Sequence, residues 1–320
     1  MNKITVSAPG KLMLLGEHAV VYNHPCIVTA VDQRMTLTAQ LTDKPTFELN
    51  APDVNIKNYK KNLPEIGKGE IPKASSFVES ATANFAKKFK IKNGLKIATK
   101  LQFSSKFGFG SSSASTVCTI FALSKLFNIK LSQKQIFDLA YETVLGIQGK
   151  GSGFDVAAAI WGGTLYFKTA GKIIKPLKIS AIPLIVGYTG TKVDTPTIVN
   201  LVAKFAQKHP KTVENIYKQI ELLVNLSVKE IERARWHELG ELMDINQGYL
   251  EALGVSSAKL SQMIYAARNS GAYGAKLSGA GIGDCMIALS KNPKVKSAIE
   301  KAGGQVINVK TNAPGVRIEK

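Results

Sequence analysis

Glycine and serine crowd one short stretch, Gly108-Phe109-Gly110-Ser111-Ser112-Ser113, at the joint between an extended segment and an apolar run. Leu95 to Ser104 before it reads as a strand, and Ala114 to Phe127 after it reads as a helix. Glycine lets a backbone approach a bulky anion closely. Serine at a helix start satisfies N–H groups that the helix leaves without partners. Those N–H groups and the positive end of the helix together form an anion site. The stretch is therefore either a cradle for a nucleotide phosphate or an ordinary capped helix start. The rest of the chain must decide between the two.

Three other stretches bear on that choice. Near the start, Lys3 to Ala8 alternates polar and apolar residues and reads as a strand, with a turn at Pro9-Gly10. Lys11 follows, then a leucine-rich buried strand, and Gly16-Glu17-His18 brings two polar groups to its end. Singly, such residues are most often satisfied surface groups; together around one buried strand they mark a candidate site. Further on, Gly149, Gly151 and Gly153 let the backbone bend closely around something, and Asp155 opens a small-residue helix. An acid there is either stabilised by the helix dipole or catalytic. The last stretch, Ala275 to Cys285, reads as a third glycine-rich loop.

The 320 residues suffice for two domains, and 45% apolar content is ordinary for a globular chain. No run of about 18 uncharged apolar residues is present, so no membrane span is expected. The start lacks the layout of a signal peptide. Cys26, Cys118 and Cys285 lie far apart without metal spacing, which suits a reducing, cytoplasmic setting. The formal charge of +19 invites a nucleic-acid reading. The lysines, however, are scattered, and the densest run, Lys57 to Lys68, holds no aromatic beyond Tyr59. No nucleic-acid partner is expected; the positive field would instead attract small polyanions.

Between these landmarks, Cys26 to Gln40 and Thr46 to Leu49 read as strands, and Asn50 to Pro72 as a long surface loop. Ala74 to Lys90 is a helix with Phe77, Ala81, Phe85 and Phe89 on one side, a core stripe. Ser132 caps a helix reaching Ile147. Strands at Thr164 to Phe167, Ile173 to Leu177 and Ile182 to Tyr188 follow, and four helical segments run from Thr195 to Ser270. The composition changes near residue 180, which divides the chain into 1–180 and 181–320. Strand, helix and strand after Cys285 make the second part α+β.

Known nucleotide motifs are excluded. Gly149-Lys150 is followed by Gly151, so the Walker A pattern fails, and Ser113 breaks the dinucleotide pattern begun by Gly108 and Gly110. A protein-kinase H-R-D motif is absent. Taken together, Pro9 through His18, Phe107 through Ala114, and Lys276 through Cys285 resemble, in order and spacing, the three motifs of the galactokinase, homoserine kinase, mevalonate kinase and phosphomevalonate kinase (GHMP kinase) superfamily. The resemblance spans nearly the whole chain. It implies an α+β, two-domain GHMP kinase fold, with a ribosomal protein S5 domain 2-like N-terminal domain that binds ATP and a ferredoxin-like C-terminal domain. Gly16 through Tyr22 and Trp161-Gly162-Gly163 resemble the mevalonate kinase branch; Gly151 through Ala159 and Gly283-Asp284-Cys285 resemble the phosphomevalonate kinase branch.

From the resemblance, ATP is the co-substrate, Mg²⁺ the cofactor and mevalonate the acceptor, with 5-phosphomevalonate as the alternative. It implies Asp155 and Lys11 as catalytic residues. Backbone groups of Lys106, Phe107, Gly108, Phe109, Gly110, Ser111 and Ser112 would hold ATP. Glu17, His18, Ser278 and Thr195 would face the acceptor. Ser112 and Glu142 would hold the metal, and a homodimer is compatible with the family. The sequence departs from the family at three places. Phe109 stands for Leu or Met, and Ile282 for Gly. Val144 occupies the expected position of the metal-binding Glu, with Glu142 two residues earlier.

Overall fold

The computed structural model describes residues 2–319. In chain order its strands and helices are β1 (Lys3–Leu15), β2 (Pro25–Thr42), β3 (Thr46–Ala51), β4 (Ile56–Asn62), α1 (Ser76–Phe89), β5 (Gly94–Leu101), α2 (Ser111–Leu126), α3 (Gln133–Gln148), α4 (Phe154–Trp161), β6 (Thr164–Lys168) and β7 (Ile173–Pro176). There follow β8 (Leu184–Tyr188), α5 (Thr195–Lys208), α6 (Pro210–Glu232), α7 (Trp236–Ala252), α8 (Ala258–Asn269), β9 (Gly274–Ser278), β10 (Cys285–Leu289), α9 (Lys294–Lys301), β11 (Gln305–Ile307) and β12 (Arg317–Ile318). The first sheet runs β12-β1-β2-β5-β3-β4, with β6 and β7 attached to β2. The second runs β11-β8-β10-β9, and its pairings are all antiparallel.

β1 explains the leucine-rich run. Leu12 and Leu14 face one way and join the core made with α6, α7 and the second sheet. Met13 faces the other way and joins the core under α2 and α4. A strand buried on both faces reads as a continuous apolar segment rather than an alternating one. Lys11 shares the parity of Met13, so its side chain leaves on the helix side, where α2 and α4 begin.

The structure corrects several expectations. Pro9-Gly10 is no turn: β1 continues through it, with the register against β2 shifting from Pro9 opposite Arg34 to Gly10 opposite Val31. A bulge absorbs the irregularity without ending the strand. The expected loop from Asn50 to Pro72 contains β4, which pairs with β3 along the sheet edge. An edge strand exposed on one side tolerates the lysines and asparagines that disguised it. The front of the third loop is β9, paired with β10. At the far end, β12 returns to the first sheet beside β1, although the expected division counts it with the second part.

α3 and α5 start on side-chain caps. Ser132 and Gln135 form a reciprocal capping box on α3, and Asp194 accepts from Thr197 N–H at the start of α5. α7 lies against β9 so closely that a Cβ on Gly240 would strike the backbone of Tyr273 and Gly274. Backbone cannot swing aside as a flexible side chain does. Gly240→Ala is therefore expected to lower unfolding stability by about 1–3 kcal/mol, the usual range for overpacking. A denaturant titration measures it; stability equal to the unsubstituted chain would show that α7 shifts freely.

Candidate active site

The three motif regions meet in one cleft between the two sheets, with a space of about 1180 Å³ that includes its open mouth. The N-terminal turn of α2 and the start of α4 form one wall. β1 and the Glu17-His18 corner form the floor, and Gly279, Ala280 and Asp284 close it from the second domain.

Lys11 is nearly buried, and its Nζ donates to Gly108 O at 2.9 Å while its backbone N–H donates to Phe109 O at 3.0 Å. Its ammonium also lies 5.2 Å from the centre of the Phe154 ring, a cation–π placement. Burial pulls the Lys11 pKa down, and the charges of Asp155 and Asp284 oppose that pull. Asp155 accepts from Ser113 Oγ at 2.7 Å and from the N–H of Val156 at 3.0 Å, so both its oxygens are oriented. Gly110 adopts a left-handed φ of 78° between them, and a Cβ there would come within 3.2 Å of Lys11 Cε and 3.6 Å of Asp155 Cβ. Glycine is what allows the loop to pass this close to both groups.

The N–H groups of Gly108 through Ser113 donate no hydrogen bond among the described residues. They lie at the positive end of a 16-residue helix, which suits an anion. Lys106 and Phe107 differ. Their N–H groups already donate to Ser104 Oγ (3.2 Å) and Ser104 O (3.1 Å), and the Lys106 side chain is exposed outside the cleft. Phe107 and Phe109 turn into the core and pack on each other with ring centres 5.8 Å apart. Their contribution is to anchor the loop.

Glu17 and Lys276 form an ion pair with essentially no exposure on either side. Burial pushes the Glu17 carboxyl up and the Lys276 ammonium down, and each partner's charge opposes the other's shift. Glu17 Oε2 has no hydrogen-bond partner among the described residues. His18 lies beside it with Nε2 2.9 Å from Ala280 O. Thr195 stands at the cleft rim as the first residue of α5. Ser278 does not face the cleft. Its hydroxyl donates to Met13 O (2.9 Å) and accepts from Met13 N–H (3.1 Å), so it ties β9 to β1.

Glu142 is exposed on α3 and stays outside the cleft; Val144 and Gln148 line it instead. Two residues along a helix turn a side chain by roughly 200°, which is why Glu142 cannot share the face of Val144. Sequence reasoning also missed Ser113, Lys192, Lys276 and Asp284. Ser113 is the third serine of a run whose second drew the attention, and Asp284 is the lone acid in a glycine-rich loop. Nothing local in the sequence marked Lys192, whose Nζ donates to Ser105 O at 2.9 Å.

No helix among the described residues is long and apolar enough to cross a membrane. Residues 76–163 match the family model for the GHMP kinase N-terminal domain, and residues 227–307 match that for the GHMP kinase C-terminal domain. The chain is 37% identical to a mevalonate kinase of Pyrococcus horikoshii, over 99% of this chain and 98% of that one. It is 36% identical to the Pyrococcus abyssi mevalonate kinase with the same coverage of each. The solved mevalonate kinase of Methanococcus jannaschii superposes with a TM-score of 0.81 at 27% identity, over 99% of this chain and 98% of that one.

Burial pulls the pKa of His18 from 6.5 down to about 4. A base with a depressed folded-state pKa stabilises the fold fully above pH 6.5, and that contribution is lost as pH falls toward 4. A shift of this size corresponds to about 3 kcal/mol. Unfolding free energies measured between pH 7 and 4 should fall more steeply for the unsubstituted chain than for His18→Gln. Parallel curves would show that His18 protonates without strain.

Proposed function

The chain belongs to the GHMP kinase family, and we propose that within it this protein transfers the γ-phosphoryl group of ATP to the primary hydroxyl of mevalonate. The observation that carries the reading is the meeting of Lys11, Asp155 and the unpaired N–H groups of α2 in one cleft. Full-length similarity to two mevalonate kinases supports the choice of acceptor.

In this reaction the acceptor oxygen bonds to the γ-phosphorus as the bond to the β–γ bridging oxygen breaks, giving ADP and 5-phosphomevalonate. The hydroxyl proton would pass to the carboxylate of Asp155. Ser113 would hold that carboxylate in register, through the 2.7 Å bond to its Oδ2. Lys11 would offset charge gathering on the transferred group. The open N–H groups of Gly108 through Ser112 would hold the phosphates without reorganising, which is the main way a protein lowers the barrier of phosphoryl transfer. His18 and Thr195 would face the acceptor.

Mg²⁺ is implied by the family, and the donors fit it. The hydroxyl of Ser112 makes no hydrogen bond among the described residues, and Asp155, bonded to the neighbouring Ser113, lines the same cleft with a carboxylate. A small hard cation takes few protein carboxylates together with phosphate oxygens. Ser112 and Asp155 would hold it, and when bound it neutralises charge on the phosphates.

Asp155→Asn should fold and bind ATP while turnover drops about 10²- to 10⁴-fold, the usual loss for a general base. Turnover close to that of the unsubstituted enzyme would leave Asp155 as a helix-start acid only. ADP release with mevalonate and with 5-phosphomevalonate, run side by side, tests the acceptor. A higher kcat/KM for the phosphorylated compound would overturn mevalonate as the substrate.

A further inference from the structure

Asp284 is the cleft acid that the reaction above does not use. Glu17 is paired with Lys276, and Asp155 is held by Ser113 and Val156. Asp284 comes from the second domain and is only 5% exposed. Its Oδ1 accepts from Val193 N–H at 3.2 Å. Its Oδ2 accepts no hydrogen bond among the described residues and lies against Gly108, where a Cβ would come within 2.9 Å of it. The backbone at Asp284 is left-handed, with φ 54°, so the conformation itself suits glycine better. The chain nevertheless places a carboxylate there.

That placement is electrostatically awkward for a phosphate site. A buried carboxylate beside the loop that takes ATP repels the phosphates, and the repulsion is strong where water is scarce. Lys11 and Lys192 supply nearby positive charge, but each ammonium is already bound to a backbone oxygen, of Gly108 and of Ser105. A divalent cation between carboxylate and phosphates turns the repulsion into attraction. The cleft face of α3 offers Val144 and Gln148, neither of them an acid.

We propose that Asp284 is the second acidic residue holding the divalent cation on the ATP phosphates, directly or through a water, from the opposite domain to Asp155. The proposal rests on the kinase reading and deepens it. It also gives the second domain a hold on the nucleotide.

The test is ADP binding by calorimetry, with Mg²⁺ and with EDTA, to the full-length chain and to Asp284→Asn. Asparagine keeps an oxygen for Val193 and nearly the same volume, and removes only the charge. Mg²⁺ should tighten ADP binding to the unsubstituted protein. In Asp284→Asn that metal-dependent gain should shrink by about 10- to 100-fold, while metal-free ADP binds as well as before or better. Mn²⁺ in place of Mg²⁺, followed by its EPR signal with ADP present, should show weaker capture of the ion by the variant. An unchanged metal-dependent gain would overturn the proposal and leave Asp284 as a cap for the Val193 loop. An equal loss with and without metal would do the same. Absence of ADP binding to the unsubstituted protein would instead overturn the kinase reading, and the proposal with it.

Discussion

The buried ion pair between Glu17 and Lys276 fixes the seam between the two domains. Both groups have left water almost completely. Removing one partner of such a pair typically costs about 3–5 kcal/mol, because the other charge is stranded. The pair therefore acts less as a source of stability than as a constraint on geometry: the end of β1 must meet the end of β9, or both charges are ruined. Two neighbouring contacts enforce the same register. Ser278 exchanges hydrogen bonds with both backbone groups of Met13, and His18 reaches Ala280 O. The cleft is the space left beside this seam, and its Glu17-His18 end is shaped by residues whose positions the seam dictates.

Electrostatics then divide the cleft. Toward α2, open N–H groups and a helix end present positive potential without any mobile side chain. Toward α4, Lys11 and Asp155 stand close together. Burial lowers the Lys11 pKa, and the carboxylates of Asp155 and Asp284 oppose that shift. A cation so surrounded can offset a charge that develops nearby without moving to do so, which is the advantage of a preorganised site over water.

How much of this was legible in the sequence depended on range. The glycine- and serine-rich loop, Lys11, Asp155 and the Glu17-His18 corner stood out in the sequence because glycine spacing and helix-start chemistry are local, and the structure brings them to one cleft. The helices of the second domain were readable from their apolar period, and α3 from its capping residues. What failed was set by partners distant in the chain. Ser278 looked like a substrate contact, but its hydroxyl donates to and accepts from the backbone of Met13, more than 260 residues away. Glu142 failed by helix phase, since a shift of two residues carries a side chain to the other face. β4 was hidden because an edge strand needs few apolar residues, and Pro9-Gly10 because a bulge and a turn share the same signature.

The aromatic residues of the glycine- and serine-rich loop show how one stretch serves two levels of the structure. Phe109 is nearly fully buried, and it packs with Phe103 and Phe107 in the core that also holds the second sheet. Phe107 in turn meets Tyr188 of β8 edge-on, and its carbonyl accepts from Cys285 Sγ of β10. A glycine-rich loop is flexible by composition, and a flexible loop would pay for ordering each time it bound a phosphate. Here the glycines allow the close approach while the two phenylalanines between and before them hold the backbone against the second domain. The loop is thereby ordered by folding, so its N–H groups can face the cleft before any ligand arrives.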